Sequence, residues 1–157
     1  MDSPASFEIV PFDPARQDAV RSLAAEILCE ELAVQPNLDG EEDLVDIAAT
    51  YAAPDGRFVV GLVGGHLVAT GGIRRISAED CQLARLYVQS DHRRQGLASR
   101  IVAGLVRFVQ KRGYRRILLE IRPEMETDRA VYRRYGFADL PESERSPGGH
   151  GYMAIQL

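Results

Sequence analysis

Arg93 and Arg94 stand just before Gln95-Gly96-Leu97-Ala98-Ser99, at the start of a helix-like stretch. A helix start repels cations, because the backbone dipole is positive there. The run before them, LARLYV (83–88), is apolar and strand-like, and the run after them, RIVAGLVRFVQKRG (100–113), repeats apolar residues at helical spacing. A strand-to-helix junction presents N–H groups that have no partner inside the helix. Small residues at 96 and 98 let a ligand approach that backbone. Two guanidiniums beside such N–H groups suit a phosphate-bearing ligand. The other reading is a solvated basic turn, which helices tolerate at small cost.

The remaining candidates for chemistry are dispersed. Glu30 and Glu31 close the first helical segment, and Glu79 and Asp80 adjoin a turn. Each can accept a proton, and each also reads as a solvated surface acid. His66, His92 and His150 fall in separate segments, and Cys29 and Cys81 form neither a CxxC pair nor a cluster with them. No metal site is expected. The absence of GxxxxGK[ST] argues against a nucleotide triphosphate at the junction.

These residues must be positioned by a larger frame. FEIVP (7–11) predicts a strand, and Asp13-Pro14 an N-cap followed by proline at the first helical position. Val20, Leu23, Ala24, Ile27 and Leu28 form one apolar stripe of the helix that follows. Asp39 or Gly40 is expected to open a second helix, EEDLVDIAATY. Two β-rich runs flank Gly64-Gly65, the signature of a two-residue hairpin. With QLARLYV (82–88) they predict an antiparallel meander from 57 to 88. A helix over about 94–112 then leads to the apolar strand RRILLEI (115–121). Strand, helix and strand in that order imply a parallel pair with a right-handed crossover. A short helix, DRAVYRRYG, and the strands FADL and GYMAIQL (151–157) complete the chain. The class is α+β, a mixed sheet covered by about four helices.

The 157 residues fit a single domain, 1–157. A net charge of −4 excludes the basic footprint of a general nucleic-acid binder. No apolar run reaches the roughly 20 residues of a membrane helix. MDSPASFEIV lacks the features of a secretory signal, and the two cysteines suit a reducing compartment, so a cytoplasmic protein is expected.

The junction resembles the acetyl-coenzyme A motif of the GNAT superfamily of N-acetyltransferases, Q/R-x-x-G-x-G/A, met here by Arg93, Gly96 and Ala98. AVYRRYGF (130–137) resembles that family's A-L-Y-x-x-x-G-F, and the order of elements is similar from first strand to last. The resemblance implies a central pair of splayed parallel strands, 82–88 and 115–121, with acetyl-coenzyme A (acetyl-CoA) in the gap. It implies that the backbone of Leu86, Tyr87 and Val88 bonds the pantetheine and acetyl carbonyl. The pyrophosphate would rest on Arg93, Arg94, Gln95, Gly96, Leu97, Ala98 and Ser99. Tyr132 matches the tyrosine that protonates the leaving thiolate in many members. The acceptor implied is a primary amine of a small molecule or amino acid, acetylated directly. Glu31 borders the acceptor side, and Arg74 or Arg85 can hold an acceptor carboxylate there. Two positions depart from similar sequences: Met125 replaces an asparagine, and Gln82 replaces a glutamate able to serve as base. The general base is therefore unassigned. A non-catalytic acyl-CoA-binding module and a protein or peptide N-acetyltransferase are the alternatives. The resemblance also admits a homodimer through the last strands.

Overall fold

A computed structural model describes residues 6–32, 38 and 41–157. The described strands are β1 (Phe7–Pro11), β2 (Arg57–Val63), β3 (His66–Arg75), β4 (Asp80–Val88), β5 (Arg116–Ile121), β6 (Ala138–Asp139) and β7 (Gly151–Gln156). The helices are α1 (Gln17–Leu32), α2 (Ile47–Thr50), α3 (Leu97–Arg112) and α4 (Arg129–Arg134). The strands form one mixed sheet in the order β1-β2-β3-β4-β5-β7-β6. All pairs are antiparallel except β4–β5. This is the expected α+β architecture with one central parallel pair.

Two apolar layers hold the sheet. On one face α3 buries Leu97, Ile101, Leu105 and Val109 against Ile73, Leu83, Ile117 and Met153. On the other, Val20 and Ala24 of α1 pack with Leu44, Ile47, Tyr51, Phe58 and Val60. Gly71 and Gly72 let both layers approach closely. A Cβ at Gly71 would stand 2.6 Å from Ile101 Cγ2, and one at Gly72 would stand 2.7 Å from Tyr51 Cε1. α1 is introduced by the expected cap: Ala15 N donates to Asp13 Oδ1 at 2.8 Å, with Pro14 next.

Three expected elements are corrected. α3 starts at Leu97 rather than near 94, because Arg94 and Gly96 both take left-handed backbone angles. The predicted second helix is broken into a 3₁₀ turn (Glu42–Leu44) and the four-residue α2. Residues 39 and 40, where its start was expected, lie outside the described residues. Side chains of α1 take over its backbone bonds: Arg21 donates to Leu44 O at 2.7 Å and Gln17 donates to Val45 O at 3.0 Å. Asp46 then caps α2 by accepting from Ala49 N. The strand FADL shrinks to Ala138–Asp139, beside β7. β7 thus has β5 on one side and part of its other side covered by β6.

Candidate active site

The parallel pair is joined only at its beginning. Asp80, Cys81 and Gln82 face Arg116, Ile117 and Leu118, and the register ends there. From residue 83 onward β4 diverges from β5, leaving backbone groups on that edge without strand partners. On its other edge β4 carries a bulge: Thr70 faces Tyr87 but Gly72 faces Ala84, so β4 fits one extra residue. Arg85 absorbs it at φ 55°. Buried Thr70 fixes the bulge by donating from Oγ1 to Arg85 O at 2.7 Å.

Past the end of β4 the chain makes a 3₁₀ turn (Ser90–His92) and enters α3 through Gly96 at φ 78°. No side chain caps that end, and no acid stands in its first turn. A Cβ on Gly96 would meet no atom within 4 Å, so the N-terminal backbone faces open space. Arg93 resolves half of the charge anomaly: its Nε donates to Val88 O at 2.9 Å and its Nη2 to Glu30 at 3.1 Å. It ties the junction to α1. Arg94 is exposed.

A cleft of about 880 Å³ opens at this place. Leu86, Tyr87, Val88, Arg93, Arg94, Gly96, Leu97, Ala98 and Ser99 line it, as does Tyr132 from α4. Every residue expected at the junction lines it except Gln95, which is exposed outside the lining. A smaller lobe of about 110 Å³ lies further along the splay, between β3, β4, β5 and α1. Arg74, Gln82, Arg85 and Met125 line that lobe. Glu31, Leu86, Tyr87 and Tyr132 border both lobes.

Two phenols therefore stand at the waist. Burial pushes the Tyr132 hydroxyl well above its ordinary pKa, and the nearby Asp128 and Glu31 push the same way. Burial also raises Tyr87, although Arg85 pulls against it. Both are neutral at physiological pH. Neither hydroxyl donates a hydrogen bond to any described residue. Tyr132 is steadied by its edge-to-face contact with Phe137, ring centroids 6.3 Å apart.

The arginines divide sharply. Arg85, with 8% of its side chain exposed, donates through Nε and Nη2 to both oxygens of Asp43 at 2.8 and 2.6 Å. Its Nη2 also reaches Glu41 at 2.7 Å and its Nη1 reaches the Tyr87 hydroxyl at 3.0 Å. The expectation that Arg85 holds a carboxylate of the acceptor is corrected: two carboxylates of the protein already occupy it. Arg74, half-buried in the same lobe, has no hydrogen bond or ion pair with any described residue.

Sequence reasoning missed Asp43 and Glu41, whose partner lies more than 40 positions away. It also missed Asp128, which lines the larger lobe from the N-cap of α4, four residues before Tyr132. Burial raises the Asp128 carboxyl above its usual range, against an opposing pull from Arg93. Cys81 is buried and its thiol is pushed up to about 12, first by burial and then by Asp80, so it is no nucleophile at neutral pH. No group of metal-binding side chains occurs among the described residues. No helix among them is long and apolar enough to cross a membrane.

The fold recurs in known proteins. An acetyltransferase of the GNAT family from Staphylococcus aureus superposes with a TM-score of 0.85 at 16% identity, covering 97% of this chain and 99% of that one. The PaiA N-acetyltransferase of Thermoplasma acidophilum, solved in complex with coenzyme A, gives 0.78 at 16% identity, with 97% and 99% covered. At such identities the likeness is one of fold. In sequence, human N-acetyltransferase 8 is 30% identical over 110 residues, spanning 64% of this chain and 47% of that protein. Rat N-acetyltransferase 8 is 31% identical over 107 residues, 64% and 48% of the two lengths. The chain thus spans about half the length of the curated relatives it matches. The acetyltransferase (GNAT) family model matches residues 24–137, and with a splayed parallel pair beside a glycine-opened helix the chain belongs to the GNAT acetyltransferase family.

Proposed function

We propose that the protein is an N-acetyltransferase that moves the acetyl group of acetyl-CoA directly to a primary amine bearing a carboxylate, such as an amino acid. The observation that carries this reading is the splay of β4 from β5 beyond Gln82, opening beside the uncapped first turn of α3. Family membership and the coenzyme A complex of the PaiA neighbour support the donor. The residues fit such a ligand. The N–H groups at the start of α3 and exposed Arg94 suit a pyrophosphate. The unpaired edge of β4 suits the pantetheine amides.

In this reading the amine lone pair adds to the thioester carbon, and the carbon–sulfur bond then breaks. Tyr132 donates its hydroxyl proton to the departing sulfur. A coenzyme A thiolate whose conjugate acid has a pKa of about 8.5 is a weaker base in water than a phenolate. Burial keeps the phenol protonated and would disfavour a free thiolate in the same way, so the proton is passed as charge develops on sulfur rather than after a thiolate has formed. The proton lost by the amine leaves to solvent or restores the phenol. The products are an amide and a free thiol. Arg74 would hold the acceptor carboxylate, because it lines the smaller lobe with no hydrogen bond or ion pair to a described residue, feeling Asp43 only through longer-range attraction. Glu31, at the waist, stands where the ammonium would enter. Cys29 and Cys81, neither in a disulfide, suit the cytoplasm.

Thermal unfolding with and without acetyl-CoA tests the donor. Ligand at about 100 times its dissociation constant adds roughly 2.7 kcal/mol, a rise of roughly 5–10 °C for a domain of this size. Gly96→Asp, folded but carrying a carboxylate into the cradle, should abolish the rise. Thiol release with amino acids and with their carboxamides tests the acceptor. Amino acids should react faster, and Arg74→Ala should remove the difference. A thermal shift with no thiol release from any amine would instead mark an acyl-CoA-binding module, the reading favoured by Gln82 in the acceptor lobe where a base would stand.

A further inference from the structure

Tyr87 was expected to act through its backbone alone. Its side chain is placed for more. It borders both lobes at the waist together with Tyr132, where the thioester and the amine meet in the acyl-transfer reading, on which this inference rests. Its hydroxyl oxygen accepts from Arg85 Nη1 at 3.0 Å. A guanidinium has only donors and keeps its charge, so this bond can run in one direction only. The phenol proton must therefore point away from Arg85, and among the described residues nothing accepts it.

The orientation is also held rigidly. Arg85 is gripped by both oxygens of Asp43 and by Glu41, and its own carbonyl is bonded by Thr70. Asp43 in turn accepts from Tyr51 at 2.6 Å. A donor fixed before the reaction needs no reorganisation when charge appears in front of it. A hydrogen bond received from a cation polarises the phenol and strengthens its own donation.

We propose that the Tyr87 hydroxyl is a second catalytic group, donating a hydrogen bond to the thioester carbonyl oxygen and to the oxyanion formed from it when the amine adds. No proton is transferred at this atom. The electron pair of the carbonyl π-bond moves onto oxygen, is stabilised there by the Tyr87 O–H, and returns as the carbon–sulfur bond breaks. Tyr132 differs in role: its proton leaves with the sulfur. Arg85 is the positioning residue that aims Tyr87.

The direct test is the infrared carbonyl stretch of bound acetyl-CoA labelled with ¹³C at the acetyl carbonyl. Binding to wild type should lower the stretch, and Tyr87→Phe should restore part of it, without needing an acceptor amine. With an amine, Tyr87→Phe should lower kcat roughly 100-fold while the acetyl-CoA dissociation constant stays within a few-fold. If Tyr87→Phe does not fold, trifluorotyrosine at position 87, measured at about pH 5 where its phenol stays protonated, keeps the ring and strengthens the donor, and it should lower the stretch further. A merely structural Tyr87 would change stability and leave the stretch and kcat as in wild type, which overturns the proposal. An unchanged stretch with trifluorotyrosine overturns it as well. Wild type that neither binds acetyl-CoA nor releases thiol defeats the acyl-transfer reading first, before any variant is made, and this proposal with it.

Discussion

In the acyl-transfer reading proposed above, Tyr132 and Tyr87 take two roles because their surroundings differ. Tyr132 rests on Phe137 and meets the cleft with a hydroxyl that bonds no described residue; Tyr87 is pinned by a guanidinium. The raised pKa of Tyr132 fixes the sign of a pH effect. Its neutral form is the active one and persists up to and beyond pH 10. The rate kcat/KM should therefore rise with pH as the acceptor ammonium loses its proton, with no fall below pH 10. A descending limb near pH 8–9 that disappears in Tyr132→Phe would contradict this. Tyr132→Phe itself should lose about 100-fold in kcat with acetyl-CoA binding retained in the thermal-shift measurement. Tyr132 and Gly96 were legible in the sequence because each sits in a local motif. The pairing of Arg85 was not, since its partners lie 42 and 44 residues away.

β4 is the element on which the site depends. Its first three residues pair with β5, its bulge sits opposite Gly71, and its far half stands apart from β5. Such an edge exchanges its amide hydrogens readily until a ligand covers it. Acetyl-CoA should slow hydrogen exchange in peptides spanning residues 84–99 and leave the β2–β3 hairpin unchanged. Equal slowing in both regions, or in neither, would place the ligand elsewhere. The helix–strand alternation around β4 was readable from apolar spacing, because α3 and β5 each carry a continuous buried face. The break in the second helix was not readable. Its cause is Gln17 and Arg21 reaching across from α1 to backbone groups that a helix would have used.

Across the whole molecule, the Asp43–Arg85 pair fastens the turn Glu42–Leu44 onto the sheet. Burial alone would raise the Asp43 carboxyl; bonds from Arg85 and Tyr51 outweigh it and hold it below its usual value. A carboxylate lowered on folding stabilises the protein above its unfolded pKa of about 3.9 and loses that effect as pH falls through the lower folded value. With 9% of the Asp43 side chain exposed, Asp43→Ala should cost about 3 kcal/mol at pH 7. That corresponds to a Tm lower by roughly 6–12 °C. The gap between variant and wild type should narrow as pH drops from 4 to 2. A gap that stays constant over that range would show that ionisation of Asp43 contributes nothing.

The sequence by itself determined what depends on neighbours along the chain. Apolar periodicity set most of the strands and helices of the frame, Asp13-Pro14 set the start of the first helix, and the two motifs marked the opening of α3 and the helix that carries Tyr132. These are local because backbone geometry and side-chain spacing repeat every few residues. Only the tertiary structure decided which charges meet. Arg74 and Arg85 look alike in sequence, yet Arg85, at the bulge, bonds Asp43 and Glu41, whereas Arg74 lines the smaller lobe without a hydrogen bond to any described residue. Electrostatic partnership acts through space, and the fold alone brings residues 41, 43, 85 and 87 within hydrogen-bond reach.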